Sequence, residues 1–496
     1  MFYSLNTRFF VLGFIAGMIL FAGCETNDYS ALENVKKIQD LEKRNQELKD
    51  ELTKLKDGVP SADPVSPSSA DPTNQIVPIT KVADDNASPK VPTVESGLTL
   101  AEEQTIVAEL ENTDAYFDFD DDGYVFEADF KECRNTNELL AKVVEFSRLK
   151  RVLLEGTRTD SETYDLLAKI KMLEYIDLQR STPTADDFEK LKSLPKLTFL
   201  QLFKATLDEE AVKKLSEFPA LQQIRCAQTR VGDAELQYLA NLKTLRAIDL
   251  SDCNRVTPSG IESLAQCPKL SFLKVWGKSI GNDTMDVVAG MKSLRVLGLV
   301  DTAVDDDGIK KLADLDLKEV HLFRTSVGDE GVKVLASMPN METLNLRDTK
   351  ISDQAMEYVS QLKKLRKLDL SECTSPGITN ASAEAIASIS TLENLNLWST
   401  GITDEGAVKF ATMPSLVWLN LDATDVTDKT AEAIGTMKQL TWLHLGKTKI
   451  TDKAVEPLMG LSKLTYLELT NTEISQDAFY RLYDELSVND CEIIGP

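Results

Sequence analysis

A hydrophobic pattern with a fixed period runs through most of the chain. It reads L-x-x-L-x-L-x-x-T-x-I-T-D, then continues with helical spacing to another leucine, and it begins at fourteen places from Leu149 to Leu464. The steps are 24 residues long, apart from one of 25, one of 23 and one of 27. Self-similarity at this period is typical of a solenoid, in which each repeat contacts only its neighbours.

The first half of each repeat predicts a strand and the second half predicts a helix. In L-x-x-L-x-L the apolar residues alternate, which indicates a strand with one buried face. The helix follows a Ser, Thr or Asp that precedes an amphipathic run, as in VTDKTAEAI from residue 426. Because helices are bulkier than strands, we expect the stacked repeats to curve with their parallel strands on the concave side.

Position 9 of most repeats holds Thr, and two repeats carry Cys253 or Cys373 there instead. We expect this small polar side chain to satisfy backbone groups where the chain leaves the strand. The seven cysteines form no C-x-x-C motif, so neither a zinc ribbon nor a thioredoxin-like site is indicated. We therefore expect free buried thiols, with Cys253 and Cys267 as the one pairing that needs checking.

These residues resemble the leucine-rich repeat family, in particular the 24-residue bacterial type with Thr or Cys where other members carry Asn. The resemblance covers residues 125–496. It implies an α/β solenoid, a horseshoe with a parallel β-sheet on the concave face and helices on the convex face. It is specific for the fold and says little about function.

The first residues predict an export signal. An apolar run over residues 9–22 is shorter than the roughly 20 residues that a membrane-spanning helix needs. It ends at Ala22-Gly23-Cys24, which resembles the lipobox of bacterial lipoproteins. The resemblance implies a lipoprotein signal peptide over 1–23, a lipid on Cys24, and a place in the bacterial cell envelope, either periplasmic or surface-facing. The alternative is an ordinary signal peptide or an uncleaved anchor.

Two segments separate this signal from the repeats. Residues 24–56 carry apolar residues at six of eight heptad seam positions, which predicts a coiled-coil stalk that forms a homo-oligomer through residues 31–55. A single solvated helix is the alternative interpretation. Residues 57–97 hold seven prolines and many Ser, Asp and Thr, which predicts a disordered linker.

An acidic segment just before the repeats has two interpretations. DFDDDGYVFEAD, residues 118–129, resembles an EF-hand calcium loop. Its candidate ligands are Asp118, Asp120, Asp122 and Asp129. The same segment also predicts a hairpin with an Asp-Gly turn, because the apolar residues from Val125 to Cys133 fit positions 1, 4, 6 and 9 of a repeat. We prefer the hairpin, which gives no resident metal.

The repeats define the remaining boundaries. An N-terminal cap and a first degenerate repeat occupy residues 98–148, and fourteen leucine-rich repeats occupy residues 149–475. The tail, residues 476–496, lacks the repeat and predicts a C-terminal cap.

Aromatic side chains gather on one face of the predicted sheet. Positions 1, 4 and 6 are buried, so positions 3, 5 and 7 face the concave side, and they hold all four tryptophans and both histidines of the chain. The candidate partner-binding residues are Trp276, His321, Phe323, Trp398, Trp418, Asn420, Trp442, His444 and Tyr466. We expect the aromatic residues from Trp398 to Tyr466 to form one patch, and Phe272, Trp276, His321 and Phe323 to form a looser group.

Aromatic residues exposed side by side mark a contact site. The alternative is that the rings pack along the strand ladder and shield it. A net charge of -25 argues against nucleic acid and against anionic membrane surfaces as partners. Histidines five repeats apart and the lack of nucleophile or nucleotide motifs predict no enzyme and no cofactor.

The sequence therefore predicts a membrane-tethered binding module that recognises a protein or peptide through its aromatic concave face. Two alternatives stay open. One is a lipoprotein that binds envelope glycans by stacking sugar rings on Trp398, Trp418 and Trp442. The other is a structural lipoprotein that bridges layers of the envelope.

Overall fold

The structure, a computed structural model, describes residues 97–131, 133–489 and 491–495. The predicted signal peptide, Cys24, the stalk and nearly all of the linker lie outside the described residues. None of the helices in the described part has the length and hydropathy that a membrane span requires.

Strands and helices alternate along the described chain. The strands are β1 (Tyr116–Phe119), β2 (Val125–Asp129), β3 (Arg151–Leu153), β4 (Tyr175–Asp177), β5 (Phe199–Gln201), β6 (Gln223–Arg225), β7 (Ala247–Asp249), β8 (Phe272–Trp276), β9 (Val296–Val300), β10 (Glu319–His321), β11 (Thr343–Asn345), β12 (Lys367–Asp369), β13 (Asn394–Asn396), β14 (Trp418–Asn420), β15 (Trp442–His444), β16 (Tyr466–Glu468) and β17 (Glu492–Ile494).

The α-helices are α1 (Leu100–Leu110), α2 (Thr136–Val143), α3 (Ser161–Leu167), α4 (Ala185–Leu191), α5 (Glu209–Leu215), α6 (Asp233–Leu239), α7 (Pro258–Leu264), α8 (Thr284–Gly290), α9 (Asp306–Lys310), α10 (Asp329–Leu335), α11 (Asp353–Val359), α12 (Ala383–Ala387), α13 (Asp404–Ala407), α14 (Asp428–Ile434), α15 (Val455–Met459) and α16 (Gln476–Leu486). Short 3-10 turns lie at Asn380–Ser382, Val408–Thr412, Asp452–Ala454 and Ser487–Asn489.

The seventeen strands of the described chain form a single sheet. From β2 to β17 each strand pairs in parallel with the next, whereas β1 pairs with β2 in an antiparallel hairpin. Paired residues occupy the same position of adjacent repeats, as Leu344 and Leu368 do. Because one repeat supplies one strand and one helical return, the expected α/β solenoid is confirmed.

The apolar positions of the repeat form one continuous core. In β14 and its flanks, Leu416, Leu419 and Leu421 are fully buried, whereas Trp418 and Asn420 between them are half-buried. This alternation places positions 1, 4 and 6 inside and positions 3, 5 and 7 on the opposite side of the sheet. We call the surface formed by positions 3, 5 and 7 the open sheet face.

The chain turns away from each strand in the same way. Position 8 has a left-handed backbone in almost every repeat, with φ of 53° at Ala423 and 50° at Lys447. The hydroxyl of the Thr at position 9 then donates back to the strand, as Thr424 Oγ1 does to the Leu421 carbonyl at 2.6 Å. This is the backbone contact expected for position 9.

The six cysteines in the described part are buried free thiols, Cys253 and Cys267 included. At position 9, Cys373 takes the place of Thr and directs its Sγ to the Leu346 carbonyl of the preceding repeat, 3.1 Å away. These cysteines thus serve as small core residues, as expected.

A ladder of hydrogen bonds connects the helix starts of successive repeats. Asp428 Oδ1 accepts the Thr451 N–H at 2.6 Å, and its Oδ2 accepts the Thr451 hydroxyl at 2.7 Å. Asp404 makes the same two bonds to Thr427, at 2.8 and 2.6 Å. The Thr-Asp pair of the motif therefore has two roles. The Thr caps the helix of its own repeat, and the Asp accepts two hydrogen bonds from the Thr of the next repeat.

The two ends of the core are covered differently. At the first end, α1 supplies Glu103, which is 1% exposed and accepts the Ser147 N–H at 2.6 Å and the Val125 N–H at 3.3 Å. The sequence did not predict this helix. At the last end, β17 extends the sheet by one strand, with Ile493 in register with Leu467.

Candidate functional site

Three aromatic rings at position 3 of consecutive repeats stack on the open sheet face. The ring centroids of Trp418 and Trp442 are 4.1 Å apart with 12° between the planes. Those of Trp442 and Tyr466 are 5.0 Å apart with 4° between the planes. Parallel strands about 4.8 Å apart bring equivalent side chains to a distance that suits face-to-face packing of rings. We call these three residues the aromatic stack.

The aromatic stack uses ring faces for its own packing. Both faces of Trp442 are covered, one by Trp418 and one by Tyr466. The Trp418 Nε1 is buried and has no hydrogen-bond partner among the described residues. All three rings are half-buried, and the middle ring, Trp442, offers a partner only its edges. A sugar ring therefore has no free face of Trp442 on which to lie.

Trp398 lies on the same sheet face but outside the aromatic stack, which corrects the expectation of one continuous patch. It occupies position 7 rather than position 3, and four residues along a strand amount to about 13 Å. Its ring packs against the Arg347 guanidinium, 4.9 Å from the ring centroid. Arg347 also lies 4.6 Å from the centroid of Phe323 and pairs with Glu372 at 2.6 Å.

Asn420 has a structural role in addition to its place on the open sheet face. Its Oδ1 accepts the backbone N–H of Asp422 at 2.8 Å. Asn396 accepts the backbone N–H of Trp398 in the same way, at 3.1 Å. The side-chain oxygen at position 5 thus supports the turn that follows the strand, and the amide N–H groups of Asn420 donate to no group among the described residues.

His444 lies beside the aromatic stack and close to two carboxylates. Its ring centroid is 5.8 Å from that of Trp442, and its Nε2 is 3.7 Å from Asp422 Oδ1. Burial lowers the pKa of His444 below its ordinary value of 6.5, and this effect outweighs the opposite effect of Asp422 and Glu468. The imidazole is therefore uncharged at neutral pH, so it does not neutralise either carboxylate.

The second aromatic group is looser and is held by charged neighbours. His321 Nε2 lies 2.6 Å from Glu319 Oε1 on the same strand. Phe323 packs against Arg347, as described above, and Trp276 pairs in register with Val300 at the end of β8. These residues share the open sheet face, but they form no continuous stack like the one from Trp418 to Tyr466.

A family profile described as a leucine-rich repeat matches residues 241–265, 316–336 and 388–411. Each matched segment falls on the strand-and-helix unit seen in the structure. The chain is a leucine-rich repeat protein. Leucine-rich repeats in general form recognition surfaces for other proteins rather than enzymes, and stacked repeats offer an extended surface for this purpose.

Solved structures resemble this leucine-rich repeat protein at low identity. An internalin from Listeria monocytogenes is 19% identical over 72% of this chain and 88% of its own, with a TM-score of 0.39. A leucine-rich repeat protein from Leptospira interrogans is 20% identical over 71% of this chain and 91% of its own, with a TM-score of 0.41. The ectodomain of the Arabidopsis receptor kinase HAESA, solved with a peptide hormone, is 14% identical over 80% of this chain and 77% of its own, with a TM-score of 0.38. No curated protein matches the sequence.

The leucine-rich repeat protein also carries an aromatic cluster near its first repeats that the sequence did not single out as a site. Tyr175 and Phe199 meet edge to face with centroids 4.8 Å apart. The Arg151 guanidinium lies 4.0 Å from the Tyr175 centroid, and that of Arg225 lies 5.6 Å from the Phe199 centroid. Both rings are only 7% exposed, so this cluster offers a partner much less aromatic surface than the aromatic stack.

A cavity of about 290 Å³ opens where the longest repeat departs from the regular spacing. It is lined by residues 373–379 without Ser375, and by Ser399, Thr400, Gly401 and Ala423. Two of its lining residues, Ser399 and Ala423, directly follow Trp398 and Asp422 in the chain, so the cavity lies at the edge of the open sheet face. The signal for it was present in the sequence, as a step of 27 residues and as small residues at positions 8 and 10.

The acidic segment before the repeats forms the hairpin of β1 and β2. Asp118 lies on β1 and Asp129 ends β2, whereas Asp120 and Asp122 lie in the turn. Arg148 NH1 is 2.9 Å from Asp120 and 2.6 Å from Asp122, so the turn carboxylates are paired with a cation of the protein itself. In the part of the chain that the structure describes, no group of three or more His, Cys, Asp or Glu side chains is placed to hold a metal ion.

Proposed function

We propose that this protein is a membrane-tethered module that binds a protein or peptide partner through the open sheet face of its last repeats. The observation that carries this proposal is the aromatic stack, which presents the edges of three large rings at one place on an accessible sheet. Large aromatic side chains supply most of the energy in many protein interfaces. The open sheet face is also the side that is concave in leucine-rich repeat arrays.

A protein partner suits this surface better than a glycan. Carbohydrate binding by stacking needs free ring faces, and the middle ring of the aromatic stack, Trp442, has none, so sugar rings cannot stack in succession along these three residues. Backbone and side-chain groups of a polypeptide, in contrast, pack readily against ring edges, which are the electropositive parts of an aromatic ring. The cavity beside Ser399 lies at the edge of the same surface, past the ends of the strands.

The tether is the second part of the proposal. Lipidation of Cys24 would hold the protein to a membrane of the bacterial envelope, and the segment over 31–55 would gather several copies. Several copies on one membrane raise avidity for a partner that presents repeated sites. Metabolic labelling with a radioactive fatty acid tests this part, because the label should enter the natural chain and be absent from Cys24→Ala.

Binding is tested by affinity capture from envelope extracts of the organism that makes the protein. The full chain should retain a defined protein that Trp418→Ala and Trp442→Ala each retain more weakly, with a loss of at least about 1 kcal/mol in binding free energy. Tyr480→Ala is the matched control, since Tyr480 is an exposed aromatic residue on α16, away from the open sheet face. Equal retention by all four chains would contradict the proposal.

A further inference from the structure

Arg225, the last residue of β6, is a half-buried cation without an anionic partner. Its guanidinium lies on the open sheet face, 5.6 Å from the ring centroid of Phe199. Among the described residues its side chain forms neither a salt bridge nor a hydrogen bond. A guanidinium carries five N–H donors, and packing on a ring removes part of its water, so a half-buried arginine normally donates to an acceptor.

The other end of the same aromatic pair carries an arginine that does have such a partner. Arg151 lies 4.0 Å from the ring centroid of Tyr175, and it also pairs with the Glu127 carboxylate. Tyr175 and Phe199 meet between the two guanidiniums, with their centroids 4.8 Å apart. Each ring is therefore in contact with an arginine, but only the arginine on Tyr175 is bound to a carboxylate of the protein.

The aspartates at position 5 of the nearby repeats support turns instead of pairing with Arg225. Asp249 is in register with Arg225, but its Oδ1 accepts the Ser251 backbone N–H at 3.0 Å and the Ser251 hydroxyl at 2.6 Å. Asp177 on β4 accepts the backbone and side-chain N–H groups of Gln179 at 2.9 and 2.8 Å. The guanidinium therefore keeps its donors, although acidic residues occupy the same row of the sheet.

A second polar side chain beside Arg225 is also without a partner. Gln201, at the end of β5, is in register with Arg225, and its Oε1 is buried and accepts no hydrogen bond among the described residues. A buried amide oxygen without a donor is unfavourable, because it has lost water and gained nothing in return. Since no hydrogen bond fixes this oxygen, the amide is able to turn either its oxygen or its N–H groups toward a ligand.

Arg225 is also more exposed than the ring beneath it. The residue is half-buried, whereas Phe199 is only 7% exposed. The positions beside it on the open sheet face are Ala247, at position 3 of the next repeat, and Ala227, at position 7 of its own repeat. Their methyl groups are too short to cover a guanidinium, so these two neighbours leave the cation open to a partner.

We propose that Arg225 and Gln201 bind a carboxylate of a polypeptide, either an acidic side chain or a chain terminus. A planar guanidinium donates two parallel hydrogen bonds to a carboxylate while it stays packed on an aromatic ring. Contact with Phe199 restricts the guanidinium beforehand, so less conformational freedom is lost on binding. Eight strand spacings, about 38 Å along the sheet, separate β6 from β14 and its part of the aromatic stack. The inference therefore adds a second binding place to the proposed function and does not depend on it.

The test is retention of synthetic random twelve-residue peptides by the full chain, with one library ending in free carboxylates and one in amides. The net charge of -25 repels acidic peptides in general, so their retention reports a specific cation. Peptides with a carboxylate should be retained, and their affinity should fall about tenfold or more on Arg225→Gln. Arg255→Gln is the matched control, because it makes the same change of charge at an exposed residue outside positions 3, 5 and 7. Retention from the first library alone identifies a chain terminus, and retention from both identifies an acidic side chain.

A second variant tests the contribution of the neighbouring amide. Gln201→Leu removes the amide and keeps the charge of Arg225, so it should weaken the same peptides by a smaller factor than Arg225→Gln does. Unchanged thermal unfolding of each variant shows that it is folded, so that a loss of affinity reports the binding place and not the fold.

Trp442→Ala separates this inference from the proposed function. It removes the middle of the aromatic stack and should leave the affinity of the retained peptides unchanged. Peptides that lose affinity on Trp442→Ala and keep it on Arg225→Gln would support the proposed function and overturn the carboxylate site. No retained peptide, or retained peptides that bind Arg225→Gln as well as the natural chain, would also overturn it. Loss of affinity on Arg225→Gln, with affinity kept on Arg255→Gln and Trp442→Ala, is the result that we expect.

Discussion

Trp418 and Trp442 stack with their ring centroids 4.1 Å apart, although they are 24 residues apart in the chain. The relationship follows from the repeat, because equivalent positions of adjacent parallel strands are one strand spacing apart. The same geometry places Tyr466 on the far side of Trp442. Large aromatic residues at the same position of three consecutive repeats therefore form one continuous stack of rings on one face of the sheet.

The middle ring of the aromatic stack should contribute most to stability. Trp442→Ala removes two ring contacts, whereas Trp418→Ala removes one. Each stacked pair is worth about 0.5–1.5 kcal/mol beyond the area that it buries. We therefore expect Trp442→Ala to lower the free energy of unfolding by about 1 kcal/mol more than Trp418→Ala does. Urea unfolding followed by circular dichroism measures the difference, and equal effects would show that the rings do not support each other.

The hydrogen-bond ladder at the helix starts should be a major source of cohesion between repeats. Asp428→Ala leaves the Thr451 N–H and hydroxyl without their acceptor, which should cost about 1–3 kcal/mol. Asp425→Ala, three residues earlier, removes only an exposed ion pair with Lys449 and should cost less than about 1 kcal/mol. Chemical denaturation of both variants makes the comparison.

Asparagine should replace aspartate in this ladder at little cost. Asn380 already makes the equivalent link, since its Oδ1 accepts the Thr403 N–H at 2.9 Å and its Nδ2 donates to the Thr403 hydroxyl at 2.8 Å. The free energy of unfolding of Asp428→Asn should therefore be much closer to that of the natural chain than the free energy of unfolding of Asp428→Ala is. If Asn and Ala destabilise equally, then the negative charge, and not the hydrogen bonding, is what the ladder needs.

The last link of the ladder should be sensitive to acid. Hydrogen bonds from the Ser475 backbone and side chain lower the pKa of Asp452 from its ordinary value of 3.8. A carboxyl whose pKa is lower in the folded state stabilises the fold above pH 3.8, and this contribution is lost as pH falls through the folded pKa. Denaturation midpoints measured between pH 6 and pH 2 should fall more steeply below pH 4 for the natural chain than for Asp452→Asn.

His444 should titrate below the ordinary histidine range. Burial lowers its pKa from 6.5, while the nearby Asp422 and Glu468 carboxylates oppose that shift. Asp422→Asn removes one of the opposing charges, so it should lower the pKa of His444 further. The chain has only two histidines, which makes both imidazole signals assignable by NMR through a His321→Gln variant. A pKa at or above 6.5 in the natural chain would contradict the buried, uncharged ring.

The repeat made most of the fold predictable. Alternation at Leu416, Leu419 and Leu421 indicated the buried side of the strand, and the 24-residue step then required parallel neighbours in register. The hydrogen bond made by position 9 was also predictable, because a Thr placed where the chain turns away from a strand has a strand carbonyl close enough to accept from its hydroxyl. Helix α1 was missed because its contacts, such as Glu103 with Ser147, join residues far apart outside the repeat.

The candidate site was predictable as a face but not as a set of contacts. Period-two alternation correctly placed Trp398 and Trp418 on one side of the sheet, yet it carries no measure of distance along the strand. The separation of Trp398 from the aromatic stack follows from its position 7 in the repeat, whereas its contact with Arg347 depended on side-chain direction.

If a protein partner binds the open sheet face beside the aromatic stack, a photoreactive amino acid on that face should crosslink to it. Site-specific photo-crosslinking in the living cell measures this with the photoreactive amino acid at residue 394, which pairs in register with Trp418. The matched position is Glu432, exposed on α14. We expect a defined covalent adduct to another protein from residue 394 and none from residue 432. An adduct from residue 432 alone, or none from either position, would contradict it.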